Sequence, residues 1–140
     1  MIEVSYKYDI FFKDGYENPI NSGMISIVFK AYKKIDGKPV IIKLKRYNIE
    51  EKLNDAIGNL QTFMYLLSFI PLIKKYQLSE VINKNIDIIR SQTNFNEEVN
   101  NMIRMKHNCR NLKYVKIPEV YEEVTKDYSN IIMMEYIDGI

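Results

Sequence analysis

The stretch Pro19–Arg46, PINSGMISIVFKAYKKIDGKPVIIKLKR, decides the fold. Asn21-Ser22-Gly23 has turn composition. Ile25–Tyr32 is rich in β-formers. Asp36-Gly37 is a hairpin signal. Val40–Arg46 follows as a second strand. Strand alternation puts Val40, Ile42 and Leu44 on one face and Ile41, Lys43 and Lys45 on the other. A cation at Lys43, flanked by apolar Ile42 and Leu44, needs a partner if its face is covered. A hairpin of this kind can lie over a phosphate tail.

Downstream the period turns helical. From Glu50 to Tyr76, Leu53, Ile57, Leu60, Met64, Leu67 and Ile70 recur at three- and four-residue steps. Pro71 should kink or end that helix. Leu60–Ile73 reads as a helix buried against the rest of the domain. The alternative is a membrane or quinone contact, peripheral because the run is too short to span a bilayer. A second pattern runs through Leu78, Val81, Ile82, Ile86 and Ile89. It breaks near Ser91–Asn94 and resumes with Phe95, Val99, Met102 and Met105. Glu98 lies on the edge of that last apolar face, while Glu97 points elsewhere. A carboxylate there is costly unless paired. Pairing Glu98 with Lys43 satisfies both charges.

Asn108–Lys116 reads as a loop and Lys116–Val124 as a strand, with Pro118 at an edge or strand start. Tyr128–Asn130 is a turn, and Ile131–Tyr136 a buried strand. Residues 1–18 read as a leader strand or loop, and 19–140 as the domain. The chain of 140 residues is long enough for one core. Its 20 basic and 18 acidic residues give +2, too little for a general nucleic-acid-binding surface. One cysteine, Cys109, and one histidine, His107, form neither a disulfide nor a two-histidine metal site. The start carries no signal-peptide pattern. The expected location is intracellular, cytoplasmic or membrane-associated.

Strands, helices and strands in this order, with a Lys on the third strand and a Glu on a helix, are the plan of a protein-kinase small lobe. The expected class is α+β: an antiparallel sheet of about five strands, a long helical insert and a C-type helix. V-A-I-K aligns onto Val40-Ile41-Ile42-Lys43. G-x-G-x-x-G-x-V aligns onto Asn21, Gly23, Ser26 and Val28, keeping the middle glycine. A closer resemblance is to the UbiB/AarF-type atypical kinases. PINSGMISIVFKAY is similar to that family's P-x-A-A-A-S-I-G-Q-V-Y-K-A loop. Asn94–Asn101 resembles its D-F-x-x-E-A-x-N, Ile117–Tyr121 its V-P-x-V-Y, and MMEYIDGI its M-E-x-I-D-G.

The resemblance implies ATP as ligand. Lys43 would hold its α- and β-phosphates and pair with Glu98, the two forming the catalytic constellation of this lobe. Gly23, Met24, Ile25 and Ser26 would form the loop over the phosphates. Val28 and Ile41 would contact the adenine, Met134 would be the gatekeeper, and Glu135 and Ile137 would offer hinge backbone groups. Mg2+ would be held by residues that these 140 do not supply. The catalytic Asp, the Asn and the metal-binding Asp belong to a large lobe, which a completing C-lobe or partner protein would bring. The family's I-G-Q-V is here Ile25-Ser26-Ile27-Val28, its E-x-D is Gln92-Thr93-Asn94, and its K-x-G-Q has no counterpart before the loop. These departures raise the alternative of a degenerate pseudokinase module acting as a regulatory or interaction partner. On that alternative, apolar surface near Met133–Ile140 would be exposed.

Overall fold

Lys33 and Lys38 close the Asp36-Gly37 hairpin, with the Lys33 N–H donating to the Lys38 carbonyl at 2.9 Å. Gly37 turns the chain at φ +66, a backbone region open to glycine. Asp36 accepts the Lys38 N–H at 3.1 Å, as turn aspartates do. The strands on either side are β3 (Ser26–Lys33) and β4 (Pro39–Lys45). They belong to a computed structural model that describes residues 1–13, 15, 18–70 and 78–138. Pro71, Ile73, Tyr76 and the Gly139-Ile140 end lie outside the described residues.

Two compact units partition the chain: Met1–Arg46 with Phe95–Ile140, and Tyr47–Asn94. The first holds an antiparallel five-stranded sheet with the order β1-β3-β4-β5. Here β1 is Ile10–Phe11 and β5 is Ile131–Glu135, while β2 (Asn21–Ser22) also pairs with β3. Val28 lies opposite Lys43, and Lys43 opposite Ile132. This is the α+β small-lobe architecture expected from the strand and helix order.

Alternation in β4 divides the unit into layers. Val40 and Ile42 are buried with Phe29, Ala31, Ile131 and Met133 on one face. On that face they meet Val4 of α1 (Ile2–Lys7) and Val124 of α5 (Glu122–Asp127). On the other face Ile132 packs with Phe95 and Val99 of α4 (Phe95–Asn108), and Val120 and Met134 close the edge of the cluster.

Two expectations are corrected. Residues 2–7 form a helix, where a leader strand or loop was expected. Six residues are too short to show a helical period, and the helix is fixed by tertiary contacts. Ser5 Oγ donates to the Ile10 carbonyl, and Lys7 and Tyr8 both reach Asp127. The expected strand Lys116–Val124 keeps only the bridge from Val120 to Met134. Its end turns into α5, with Glu122 and Glu123 at the electropositive helix start. Thr125, buried in that helix, donates to the Ile131 carbonyl at 2.8 Å. Met133 is buried, as expected of the strand Ile131–Tyr136, because it faces the α1–α5 layer, so the exposed apolar surface that the pseudokinase alternative placed near Met133–Ile140 does not include it.

The second unit carries α2 (Ile49–Leu67) and α3 (Leu78–Ser91). The break at Gln92–Asn94 falls where the pattern put it. Gln61, Met64, Tyr65 and Ser68 of the α2 segment and Ile82 and Asn83 of α3 line a cleft of about 400 Å³. Ile57 and Ile86 are buried, but Leu60, Phe63, Tyr65, Leu66, Phe69 and Ile70 are exposed. The described part of Leu60–Ile73 is therefore not the buried helix expected. Among the described residues, no helix is long and apolar enough to cross a membrane.

Replacing Ile42, which is 0 % exposed, by Ala should cost about 2–5 kcal/mol. Ile35→Ala, at an 88 % exposed site, should stay within about 0.5 kcal/mol. Urea unfolding followed by circular dichroism separates the two. The α1 clamp should depend on pH at both extremes. The Lys7 ammonium and the Tyr8 hydroxyl hold the Asp127 carboxyl below its ordinary 3.8. Its contribution is therefore present above that value and lost as pH falls through the lower folded one. Burial first, then Asp127, push the Tyr8 phenol up from 10.0, so its contribution is full below 10.0 and lost in stronger alkali. Amide protection factors of residues 2–7, taken relative to the intrinsic exchange rate at each pH, should be highest between these limits, and protection factors constant from pH 2 to 12 would refute the clamp.

Candidate functional site

The α4-covered face of the sheet brings Lys43 and Glu98 together. Lys43 Nζ donates to both carboxylate oxygens of Glu98, at 2.6 and 2.8 Å, across 55 residues of sequence. Helical spacing explains the aim: Phe95 and Val99 turn into the sheet, and Glu98 emerges beside them. The side chains remain 23 % and 31 % exposed, so one side of the pair is open. The Phe95 ring lies 5.0 Å from Lys43 Nζ and 5.1 Å from Lys45 Nζ, offering its negative face to both cations.

Val28 and Ile41, half-buried on either side of Lys43, belong to the same face. Met134 is paired with Ile41 and packs against the Phe95–Val99 cluster. The site therefore has a cation, its counter-charge and an apolar ledge on one surface. Ile137 is half-buried just beyond β5. Glu135 is engaged more fully than expected. Its N–H donates to the Glu119 carbonyl at 2.7 Å, and its carboxylate meets Lys116 at 3.1 Å. The Lys116 ammonium, with the Glu119 N–H, holds that carboxyl below the usual carboxylate range.

Gly23, Met24 and Ile25 form the tip of the β2–β3 hairpin, with the Gly23 N–H donating to the Ser26 carbonyl at 2.9 Å. Ser26 begins β3 and is buried; Met24 is 68 % exposed. A Cβ on Gly23 would meet only the Ser26 carbonyl at 3.6 Å, an ordinary contact. An alanine fits this position, as the Ala-rich loops of the resembling family require.

Three contributors went unread in the sequence. Phe95 belongs to the apolar helical face and also meets the two cations; its spacing of three before Glu98 carries the signal. Lys30 stands over the Tyr136 ring at 3.7 Å from its centroid, a pairing that only the β3–β4–β5 register creates. Arg46 reaches back to the hairpin tip, and nothing in its local sequence announces it.

The profile of the ABC1 atypical kinase-like domain matches residues 3–140. A protein of Shewanella sp. (strain W3-18-1) described as "Probable protein kinase UbiB" is 33% identical over 139 residues, 99% of this chain and 25% of its own length. The protein so described from Shewanella sp. (strain MR-4) is 32% identical over the same shares. That of Blochmanniella pennsylvanica is 28% identical over 133 residues, 94% of this chain and 24% of its own. The chain thus spans about a quarter of the length of these relatives. With its sheet, its Lys43–Glu98 pair and a profile match over nearly all its residues, the chain belongs to the ABC1 atypical kinase-like domain family.

Proposed function

We propose that this chain forms the ATP-binding small lobe of a UbiB-type kinase or ATPase. The observation that carries the reading is the two-pronged Lys43–Glu98 pair on a half-open, apolar-flanked face. Glu98 engages two of the three N–H donors of the ammonium and fixes its position. The remaining donor of Lys43 serves the α- and β-phosphates. Val28, Ile41 and Met134 give the adenine an apolar slot, and the hinge backbone at Glu135 and Ile137 reads its edge. These residues fit a nucleotide: a pre-aimed cation suits the phosphates, and the apolar ledge suits the base.

ATP would supply the transferable phosphoryl group, whose transfer depends mainly on positioning and charge stabilisation. On this reading Mg2+ and the catalytic carboxylate are held by a large lobe, so these 140 residues alone bind without turnover. The exposed Leu60, Phe63, Leu66, Phe69 and Ile70 support a peripheral membrane contact by the helical insert. Flotation with anionic liposomes should carry the chain upward, and Phe63→Ser with Phe69→Ser should abolish it. Failure of the unaltered chain to float would remove that contact.

Titration with a fluorescent ATP analogue tests the central proposal. Lys43→Ala should weaken binding at least tenfold, about 1.4 kcal/mol. Glu98→Gln keeps the shape but loses the charge, and should weaken it by about fivefold. Lys43→Ala binding as well as the unaltered chain would overturn the site. No binding by the unaltered chain would overturn the nucleotide reading and favour a partner-binding module.

A further inference from the structure

Arg46, one residue past β4, makes three hydrogen bonds to the four-residue tip Ser22–Ile25. Its Nε donates to the Gly23 carbonyl at 2.9 Å, and its Nη2 to Ser22 Oγ at 2.6 Å. Its backbone N–H donates to the Ile25 carbonyl at 2.9 Å. We infer that Arg46 is a positioning residue for nucleotide binding, which locks the Gly23–Met24 peptide so that the Met24 N–H serves a phosphate. The inference rests on the nucleotide reading above.

The argument is one of peptide geometry. The described chain has no cis peptide bond, and in a trans peptide the carbonyl and the following N–H point in opposite directions. With the Gly23 carbonyl held by Arg46, the Met24 N–H is turned away from the guanidinium. Strand alternation carries the Arg46 side chain to the face of Leu44, opposite Lys43. The donor is thus directed from the brace toward the side on which Lys43 lies. The brace is needed because Gly23 has no Cβ to restrain its backbone. An exposed tip that flips this peptide would offer a phosphate a carbonyl oxygen in its flipped state. Two prongs of one planar guanidinium hold the carbonyl and the Ser22 hydroxyl together, which a lysine cannot do.

The test compares unlabelled ATP and adenosine as competitors of the fluorescent analogue on this 140-residue chain. Arg46→Ala should weaken ATP by about tenfold and leave adenosine within about twofold, because only the phosphate donor is lost. Arg46→Lys should behave almost like Arg46→Ala, since it keeps the charge and loses the fork. Ser22→Ala, which removes one acceptor and leaves the guanidinium intact, should cost about threefold and guards against a misfolded Arg46 variant. Unchanged ATP affinity in Arg46→Ala, with Lys43→Ala still impaired, would overturn the inference and leave the nucleotide reading standing. Full affinity in Arg46→Lys would overturn it too, since charge alone would then suffice. An equal loss for ATP and adenosine would mark Arg46 as a general fold determinant and refute the positioning role. If the unaltered chain binds neither ligand, both readings fall together.

Discussion

A charge on a covered sheet face must be answered, and Glu98 answers Lys43. Removing either partner strands the other beside Phe95, Ile132 and Val99, where water can reach only one side. The pair therefore specifies more than a contact. It sets the rotation of α4, because turning the helix by one residue would swing Glu98 away and bring Glu97 in. It also sets which face of β4 looks at the helix. The Phe95 ring reinforces that choice through its contact with two cations.

The pair is also what makes the helical insert tolerable. Lys43 and Glu98 are separated by 55 positions, most of them in the Tyr47–Asn94 unit. Closing a loop of that length costs only slightly more entropy than closing a short one. The insert can thus be a folded unit of its own while the sheet and α4 assemble with each other. It leaves the first unit at Arg46 and returns at Phe95. Those residues brace the hairpin tip and cover the Lys43 ammonium.

The parts of this arrangement that follow from local periodicity were legible in the sequence. The β3–β4 hairpin, the split of β4 into two faces, the break before Phe95 and the edge position of Glu98 all express periods of two or 3.6. The parts that depend on distant partners were not. Helix α1 exists because Val4 finds the sheet and because Lys7 and Tyr8 find Asp127. The turn of Glu122–Asp127 into a helix reverses a local β-preference through the burial of Val124 and Thr125. In the site, Lys43, Glu98 and the Val28–Ile41–Met134 ledge were readable from alternation and resemblance. Arg46 and the Lys30–Tyr136 pair arise only from the register between strands, and the apolar run of α2 hid the fact that its surface stays exposed.

The edges of the sheet carry a further consequence. Along the outer side of β3, β2 covers Ile27–Val28 and β1 covers Tyr32–Lys33, end to end. Only Phe29–Ala31 lies between them, fewer residues than an ordinary strand of about five. On the opposite side, the Glu135 N–H bonds Glu119, and the Tyr121 N–H bonds Met133. The sheet is thus hemmed on both margins by short pieces of its own chain, the usual protection against edge-to-edge aggregation. A domain finished in this way can be concentrated without polymerising through its strands, and whatever joins it must do so through helices, loops or the open side of the Lys43 face.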